Sequence, residues 1–254
     1  MGKIKELSVV IPAFNEAMRI GATLRRVSEY CASRFERYEI VVVDDGSTDE
    51  TAKEAKNAIH DERLRVLVLE KNRGKGYAVR TGGLHAKFEY VLFSDADLST
   101  PIEEVENLEK HASPRSLVIA SRGLRESRLE VRQPFYRETM GRIFNLVVRL
   151  LLVPDVADTQ CGFKLFGREV VKEIFPRTTI DRFAFDVEII YLARKLGFHV
   201  VEVPVRWRND SRSRVHPIRD SMQMLADVGK VFARERIFSP LKGSRDRNFP
   251  AGRE

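Results

Sequence analysis

The chain has 254 residues, 43% hydrophobic and 32% charged, with 44 Lys and Arg against 37 Asp and Glu, a net charge of +7. A composition this apolar sustains a packed core and excludes wholesale disorder, and the length suits one large or two small domains. The densest apolar run, Ile143–Val153, is interrupted by Asn145 and Arg149 and falls far short of the ~20 residues of a membrane-spanning helix.

Leu7–Pro12 (LSVVIP) is of strand length with no cleavage site after it, so it reads as a first buried strand rather than a secretory signal. Asn15 is placed to cap a helix across Glu16–Ala32. Glu39–Asp44 (EIVVVD) is a second strand, unbroken in its apolar middle as a strand covered on both faces should be. Ser47-x-x-Glu50 has the form of a capping box and predicts a helix to about Ile59. Leu64–Leu69 and Tyr90–Ser94 are the third and fourth strands, with a helix from about Gly76 to Ala86 between them. Thr100-Pro101-x-Glu103 is a second capping box with Pro at the first helical position, and Leu117–Ala120 is a fifth strand. This alternation predicts an α/β fold, a doubly wound and mostly parallel central sheet flanked by helices, with right-handed crossovers.

The second half is less regular. Phe135–Val153 predicts a helix with Glu138, Arg142, Asn145 and Arg149 in one polar stripe. Two readings stay open for it, a core helix or an interfacial helix lying in a membrane surface. Phe163–Phe166 and His199–Val205 read as further strands, and Ile218, Met222, Leu225, Val228 and Phe232 as the inner face of a last helix. Residues 1–242 are expected to form one domain, divided at about residue 112, with a disordered tail over 243–254.

Charge is unevenly placed. Residues 1–112 carry 17 basic and 20 acidic side chains, residues 113–153 carry 8 and 3, residues 154–204 carry 7 and 8, and residues 205–254 carry 12 and 6. Positive blocks of this kind attract phosphates, anionic lipid or nucleic acid, and a solvated basic surface is the plainer alternative.

In doubly wound sheets, ligands bind beyond the carboxyl ends of the strands. Here those loops are Ala13–Glu16, Asp44–Thr48, Glu70–Gly76 and Asp95–Ser99. Asp95-Ala96-Asp97 places two carboxylates after an apolar strand, a pattern that suits a hard cation such as Mg²⁺ or Mn²⁺ whose shell is completed by substrate phosphates. Asp44-Asp45-Gly46-Ser47-Thr48 could hold a base or ribose hydroxyl, or be only a capped turn. Asn72-Arg73-Gly74-Lys75-Gly76 suits close backbone approach to an anion, although neither GxxxxGK[ST] nor GxGxxG spacing is present.

Taken in order, Val10-Ile11-Pro12-Ala13-Phe14-Asn15-Glu16, Val43-Asp44-Asp45-Gly46-Ser47-Thr48-Asp49, Asn72-x-Gly74-Lys75-Gly76 and Asp95-Ala96-Asp97 resemble the family-2 glycosyltransferases of the GT-A fold. Asp158-Thr159-Gln160-Cys161-Gly162-Phe163-Lys164-Leu165-Phe166 and Arg182-Phe183-Ala184-Phe185-Asp186-Val187-Glu188 narrow the resemblance. They are similar to the branch that transfers sugar to polyprenyl phosphate, and within it to the dolichyl-phosphate β-glucosyltransferases.

The resemblance implies roles by position. Pro12, Ala13, Glu16 and Asp45 would cradle the nucleoside, with Lys75 near it or the diphosphate. Asp95 and Asp97 would flank the diphosphate, Asp97 as main ligand of Mg²⁺ or Mn²⁺. Asp158 and Gln160 would face sugar and acceptor, Asp158 either as a base or as an orienting group. Arg122 and Arg137 would hold the acceptor phosphate, and Arg214 would close over the donor phosphates. Residues 1–112 then form the nucleotide-sugar half and 113–242 the acceptor half.

The implied reaction is an inverting, metal-dependent transfer, with glucose from UDP-glucose as donor sugar and a polyprenyl or dolichyl monophosphate as acceptor. The protein is expected to sit peripherally on an anionic membrane surface at the cytoplasmic leaflet, and no nucleic-acid partner is expected. The Gln-x-x-Arg-Trp motif of processive synthases is absent, since Arg206-Trp207 lacks the Gln. A GDP-mannose-dependent enzyme shares the donor motifs, and a non-enzymatic nucleotide-sugar or nucleic-acid binding module is the remaining alternative. The five histidines are scattered without ligand spacing, and Cys31 and Cys161 form no disulfide framework. Trp207 reads as a core residue, with a substrate platform as the alternative. Asp186 and Glu188, acids on an apolar helix, read as site support that pairs an arginine.

Overall fold

Valine-rich strands without polar alternation need cover on both faces, and the computed structural model shows how they obtain it. The structure describes residues 4–131, 135–210 and 217–238. In chain order the first half holds β1 (Glu6–Ala13), α1 (Ile20–Arg34), β2 (Arg37–Asp44), α2 (Thr51–Ala58), β3 (Leu64–Val68), α3 (Lys75–His85) and β4 (Tyr90–Ser94). Next come α4 (Val105–Glu109), β5 (Ser116–Ser121), β6 (Arg128–Val131), α5 (Phe135–Leu151), β7 (Phe163–Gly167) and α6 (Arg168–Ile174). The described chain ends with α7 (Phe185–Lys195), β8 (His199–Pro204), β9 (Arg206–Arg208) and α8 (Pro217–Phe238).

Seven strands form one sheet in the order β3-β2-β1-β4-β7-β5-β8, and β6 pairs with β9 in a small second sheet. Side-chain alternation splits the core into two layers. Val9, Ile11, Ile40 and Val42 face the layer that contains α1, while Val10, Val41 and Val43 face the layer that contains α3 and α7.

The strands of the large sheet are parallel except β7, which runs antiparallel between β4 and β5, with Ser94 opposite Phe163. This inversion decides where the chemistry can be. Parallel strands deliver the residues after their carboxyl ends to one edge. An inverted strand delivers the residues before its amino end to that same edge, so the 158–162 segment arrives beside Asp95.

Both sequence-predicted capping boxes do something else. Asn15 adopts a left-handed φ of 56°, and its Oδ1 accepts from the Thr48 backbone N at 2.9 Å; α1 begins only at Ile20. The Ser47 hydroxyl accepts from the Asn15 backbone N (2.8 Å), and its own N donates to Asp44 Oδ1 (2.9 Å). These residues stitch the ends of β1 and β2 together, a use that competes with capping because the same short side chains serve both. Pro101 is extended, with ψ of 144°, so Ile102–Glu104 form a 3₁₀ turn before α4, and the Thr100 hydroxyl lies 3.6 Å from Cys161 Sγ. Among the α8 side chains described, Val228 and Val231 are buried, whereas Met222 and Leu225 are exposed, and Ile218 lies outside the described side chains. Two apolar stripes run along that helix, and only its neighbours decide which one faces inward.

At Gly83 on α3, an added Cβ would overlap the ring of the buried Phe175. Gly83→Ala is expected to destabilise the fold by ~1–3 kcal/mol through overpacking. In urea it should lower the unfolding midpoint at unchanged slope; an unmoved midpoint would show that the ring can yield.

Candidate active site

Most of the donor-side residues named from the sequence share one cleft. Pro12, Ala13, Glu16, Asp45, Lys75 and Asp97 line a cavity of about 480 Å³ at the carboxyl edge of the sheet, within the range of small-molecule sites. Asp45 is buried, and both its oxygens are committed, accepting from the backbone N of Arg73 and of Gly74 at 2.8 Å each. Burial pushes its carboxyl up from the usual value, while those two hydrogen bonds work the other way. Asp45 therefore shapes the 72–76 loop as well as lining the cleft. Arg19 and Arg182 also line it. Sequence reasoning missed Arg19, which the Glu16 carboxylate holds in an ion pair.

Asp95 and Asp97 follow β4. The Asp95 backbone N donates to Gly162 O (3.0 Å), and an added Cβ at Gly162 would overlap the Asp95 carboxylate. Residue 162 has to be glycine for this approach. Lys75 Nζ lies 2.6 Å from Asp95 Oδ1, and Asp97 Oδ1 accepts from the Ser99 backbone N at 2.9 Å. Burial and the neighbouring Asp95 charge push the Asp97 carboxyl up. Burial opposes the charge on Lys75, yet Asp95, Asp186 and Asp97 together keep it firmly protonated, so it is a cation rather than a base.

Two carboxylates that crowd each other are what a divalent cation relieves. Among the described residues no group of three or more His, Cys, Asp or Glu side chains could hold a metal alone. The donors present are hard oxygens, too few to close a shell. That suits Mg²⁺ or Mn²⁺ bound by one or two carboxylates with phosphate and water completing the coordination.

A second cavity of about 260 Å³ opens from the same acids and reaches Arg122, Gln160, Asp186 and Trp207. Asp158, expected as a base or an orienting group, is fully engaged by hydrogen bonds here. Its Oδ2 accepts from the Arg122 backbone N (2.9 Å) and Nε (2.6 Å), and its Oδ1 from Arg122 Nη2 (2.9 Å) and the Gln160 N (3.1 Å). Four hydrogen bonds saturate a carboxylate, which leaves no lone pair for a proton. Burial disfavours its charge, but Arg122 outweighs burial and brings the carboxyl down to about 2. Asp158 is buried and fixes Arg122, whose guanidinium also lies 5.3 Å from the Trp207 ring centroid. Trp207 is a core residue as expected, and one side of it also walls the cavity.

Gln160 Nε2 is buried with no hydrogen-bond partner among the described residues. Arg137 lies in α5 with its side chain outside the described set, and Arg214 and the 243–254 tail also lie outside the described residues. Cys161 is buried, and burial raises its thiol to about 11, the character of an inert structural cysteine. Asp186 and Glu188 are both buried and both paired, and among the described residues Glu188 alone of the two takes an arginine, Arg234 at 3.0 Å. Asp186 takes Lys164 at 2.6 Å. Lys164 is fully buried and was not singled out from the sequence, although a lysine inside an apolar strand is a signal of a hidden partner.

The folded Asp158 carboxyl sits near 2, against ~3.9 for an unfolded one. The stability it contributes is thus fully present above pH ~4 and lost as the pH falls to about 2. Asp158→Asn is expected to cost ~2 kcal/mol at pH 7 by leaving the half-buried Arg122 without its carboxylate. That deficit should shrink between pH 4 and 2 in urea denaturation. A deficit independent of pH would mean that the pair is not its source.

Comparison with known proteins agrees with the geometry. The family model for glycosyl transferase family 2 matches residues 8–175. Dolichyl-phosphate beta-glucosyltransferase of Dictyostelium discoideum is 37% identical over 239 residues, which cover 89% of this chain and 73% of that protein. The Homo sapiens protein of the same name is 36% identical, with 88% and 74% covered. Among solved structures, glucosyl-3-phosphoglycerate synthase from Mycobacterium tuberculosis, in complex with Mn²⁺, UDP and glucosyl-3-phosphoglycerate, superposes with a TM-score of 0.67. Its sequence identity is 21%, and the match covers 91% of this chain and 81% of that one. Mannosyl-3-phosphoglycerate synthase from Rubrobacter xylanophilus gives 0.68 at 20% identity, covering 97% and 79%. With the acidic pair after β4, the inverted β7 and a family match spanning most of the sheet, the chain belongs to glycosyl transferase family 2.

Proposed function

We propose that the protein transfers glucose from UDP-glucose to a dolichyl or other polyprenyl monophosphate, at the cytoplasmic face of a membrane and with inversion at the anomeric carbon. The observation that carries this reading is the continuity of the site. The cleft beside Asp95 and Asp97 runs past Arg122 into a groove of about 620 Å³ under α5, walled by Arg142, Arg149 and Trp207. An anionic donor is held at one end, and an anionic head with an apolar tail fits the other. The names of the relatives favour glucose over mannose and an enzyme over a binding module.

In this reading an oxygen of the acceptor phosphate attacks the anomeric carbon on the face opposite UDP. The bond from that carbon to the diphosphate oxygen breaks as the new one forms. A phosphate is already anionic near neutral pH, so no residue has to remove a proton, in keeping with a saturated Asp158. Arg122 meets the acceptor phosphate, with Arg137 as second contact, and Asp158 sets the plane of the Arg122 fork. Lys75 adds a fixed positive charge where the diphosphate gains negative charge. A divalent cation held by Asp97 and Asp95 supplies Lewis-acid stabilisation of the departing diphosphate when bound. Holding both reactants in line contributes the other large share of the rate.

The outer side of α5 supports membrane docking. Phe144 and Val148 face the core, while Phe135, Ile143, Leu146 and Leu150 are exposed. On α8, which packs against α5, Met222 and Leu225 are exposed as well. No helix among the described residues is long and apolar enough to cross a membrane. Exposed apolar residues bordered by Arg142 and Arg149 fit the interfacial reading of α5. Each basic residue near anionic lipid adds ~1 kcal/mol. Cys31 and Cys161 are free thiols, which suits a reducing compartment.

Purified protein with UDP-glucose, Mg²⁺ or Mn²⁺ and a polyprenyl phosphate should yield a glucosyl lipid phosphate by mass spectrometry, and GDP-mannose should yield none. Asp97→Ala should lower turnover by roughly 100-fold or more. Product from GDP-mannose alone, or full turnover in the variant, overturns the assignment.

Replacing Ile143 and Leu150 together by Asp should weaken binding to anionic vesicles roughly 10-fold in sedimentation and leave UDP binding unchanged. Equal sedimentation of variant and wild type would remove α5 from the docking surface.

A further inference from the structure

The second cavity has a carboxylate in its wall that neither phosphate can use. Asp186, in the first turn of α7, is buried and lines this cavity beside Lys75, Asp95 and Asp97. Its Oδ1 lies 2.6 Å from Nζ of Lys164, and that ammonium also donates to the Cys161 carbonyl at 2.6 Å. Lys164 and Asp186 are both almost wholly shielded from water. The start of α7 is fixed as well, because Phe185 stacks edge-on against Phe93 with ring centroids 5.8 Å apart.

A buried ion pair of this kind is poor value as a stabiliser, since apolar residues of the same volume do as well or better. Its placement at a cavity wall gives it another use. Lys164, 2.6 Å from Oδ1, opposes the burial that pushes the Asp186 carboxyl up. A carboxylate here repels the diphosphate and the acceptor phosphate, and the cation-binding pair is already formed by Asp95 and Asp97. What remains for it in a glycosyltransferase is an uncharged hydroxyl-bearing group, because carboxylates accept strong hydrogen bonds from hydroxyls. The Gln160 amide points to the same ligand. Its buried Nε2 is a donor without a partner among the described residues, in the wall of the same cavity, and an orphaned buried donor is costly unless a ligand satisfies it.

We infer that Asp186 is a specificity-determining residue for the donor's hexose. It accepts hydrogen bonds from the sugar hydroxyls, Gln160 donates to the same ring, and Lys164 acts as the positioning cation beneath. The inference rests on the transfer reading above and goes beyond it by assigning which side chains read the sugar.

The test measures glucose transfer by wild type, by Asp186→Asn and by the double variant Lys164→Met with Asp186→Asn, which leaves no buried lysine alone. Donors are UDP-glucose and its 2-, 3-, 4- and 6-deoxy analogues, with UDP as competitive inhibitor. Loss of a charged hydrogen bond should lower kcat/KM for UDP-glucose roughly 10- to 100-fold. UDP inhibition should stay within about twofold in every variant that folds. Wild type should discriminate against at least one deoxy donor, and both variants should lose that discrimination. A structural role alone does not single out one hydroxyl. Unchanged discrimination in the variants, or a parallel loss of UDP inhibition, overturns the inference while leaving the transfer reading intact. Absence of transfer from UDP-glucose by wild type overturns both.

Discussion

Lys75 and Lys164 hold their ammonium groups 5.3 and 5.7 Å from the ring centroid of Phe93, and each clasps a carboxylate on the cavity wall, Asp95 and Asp186 respectively. Four charges are thus brought together over one buried aromatic ring at the end of β4. Lys164 and Asp186 are shielded from water, whereas Lys75 and Asp95 stay partly exposed at the cavity wall. Removing either member of the buried pair leaves its partner to bear the cost of desolvation. The position of Asp95, and with it the spacing to Asp97, therefore depends on residues from α3, β7 and α7 as well as on its own loop.

The inversion of β7 makes that array possible. Lys164 reaches Asp186 from the second position of an antiparallel strand, and Gly162 just before it lies against the Asp95 carboxylate. Had the strand run parallel to its neighbours, the 158–162 segment would lie at the opposite edge of the sheet. The Arg122–Asp158 pair would then be out of reach of the acids. Backbone strain gathers at the same edge. Among the described residues the non-glycine positions with left-handed φ are Asn15, at 56°, and Leu98, at 48°. Such conformations cost on the order of 1–3 kcal/mol each and persist where surrounding contacts over-determine them. One flanks the donor cleft and the other follows Asp97 directly.

The strands of the large sheet were legible in the sequence because their signal is local and redundant, whereas the short, polar β6 and β9 carry no such run. Tyr90–Ser94 needed only a short apolar run to be placed, and EIVVVD showed by its lack of alternation that both faces are covered. Helix starts were less legible. Asn15, Ser47 and Thr100 have the side chains of caps, yet each is used by a neighbouring loop, and nothing local separates the two uses. Pairings were hidden for a different reason. Asp158 reads by resemblance as a group facing sugar and acceptor, and nothing in the sequence shows that a partner 36 residues earlier takes both its oxygens. Lys164 lay inside a recognised motif, but the carboxylate that explains it is on another element. Charged groups acquire their roles from partners in space, and a sequence displays only the ones nearby in chain.

The donor and acceptor sides are also joined by hydrogen bonds, not only by packing. Glu188 is fully buried on α7 and accepts from the Thr179 N, the Thr179 hydroxyl, the Ile180 N and Arg234 of α8. One residue further, the Asp181 carbonyl accepts from the Tyr77 N at 3.0 Å, in the first turn of α3 that carries Lys75. The Asp181 carboxylate meanwhile binds Arg80 of α3 at 2.5 Å. The connection runs from α8, through a buried carboxylate and one short loop, to the lysine beside Asp95. Buried hydrogen bonds of this kind are costly to break singly. A displacement of α8 cannot be absorbed by sliding apolar surfaces alone; it must either break bonds to Glu188 or carry the 178–181 loop with it. The helix that borders the apolar outer surface and the turn that supports the acidic pair therefore hold their positions by reference to each other.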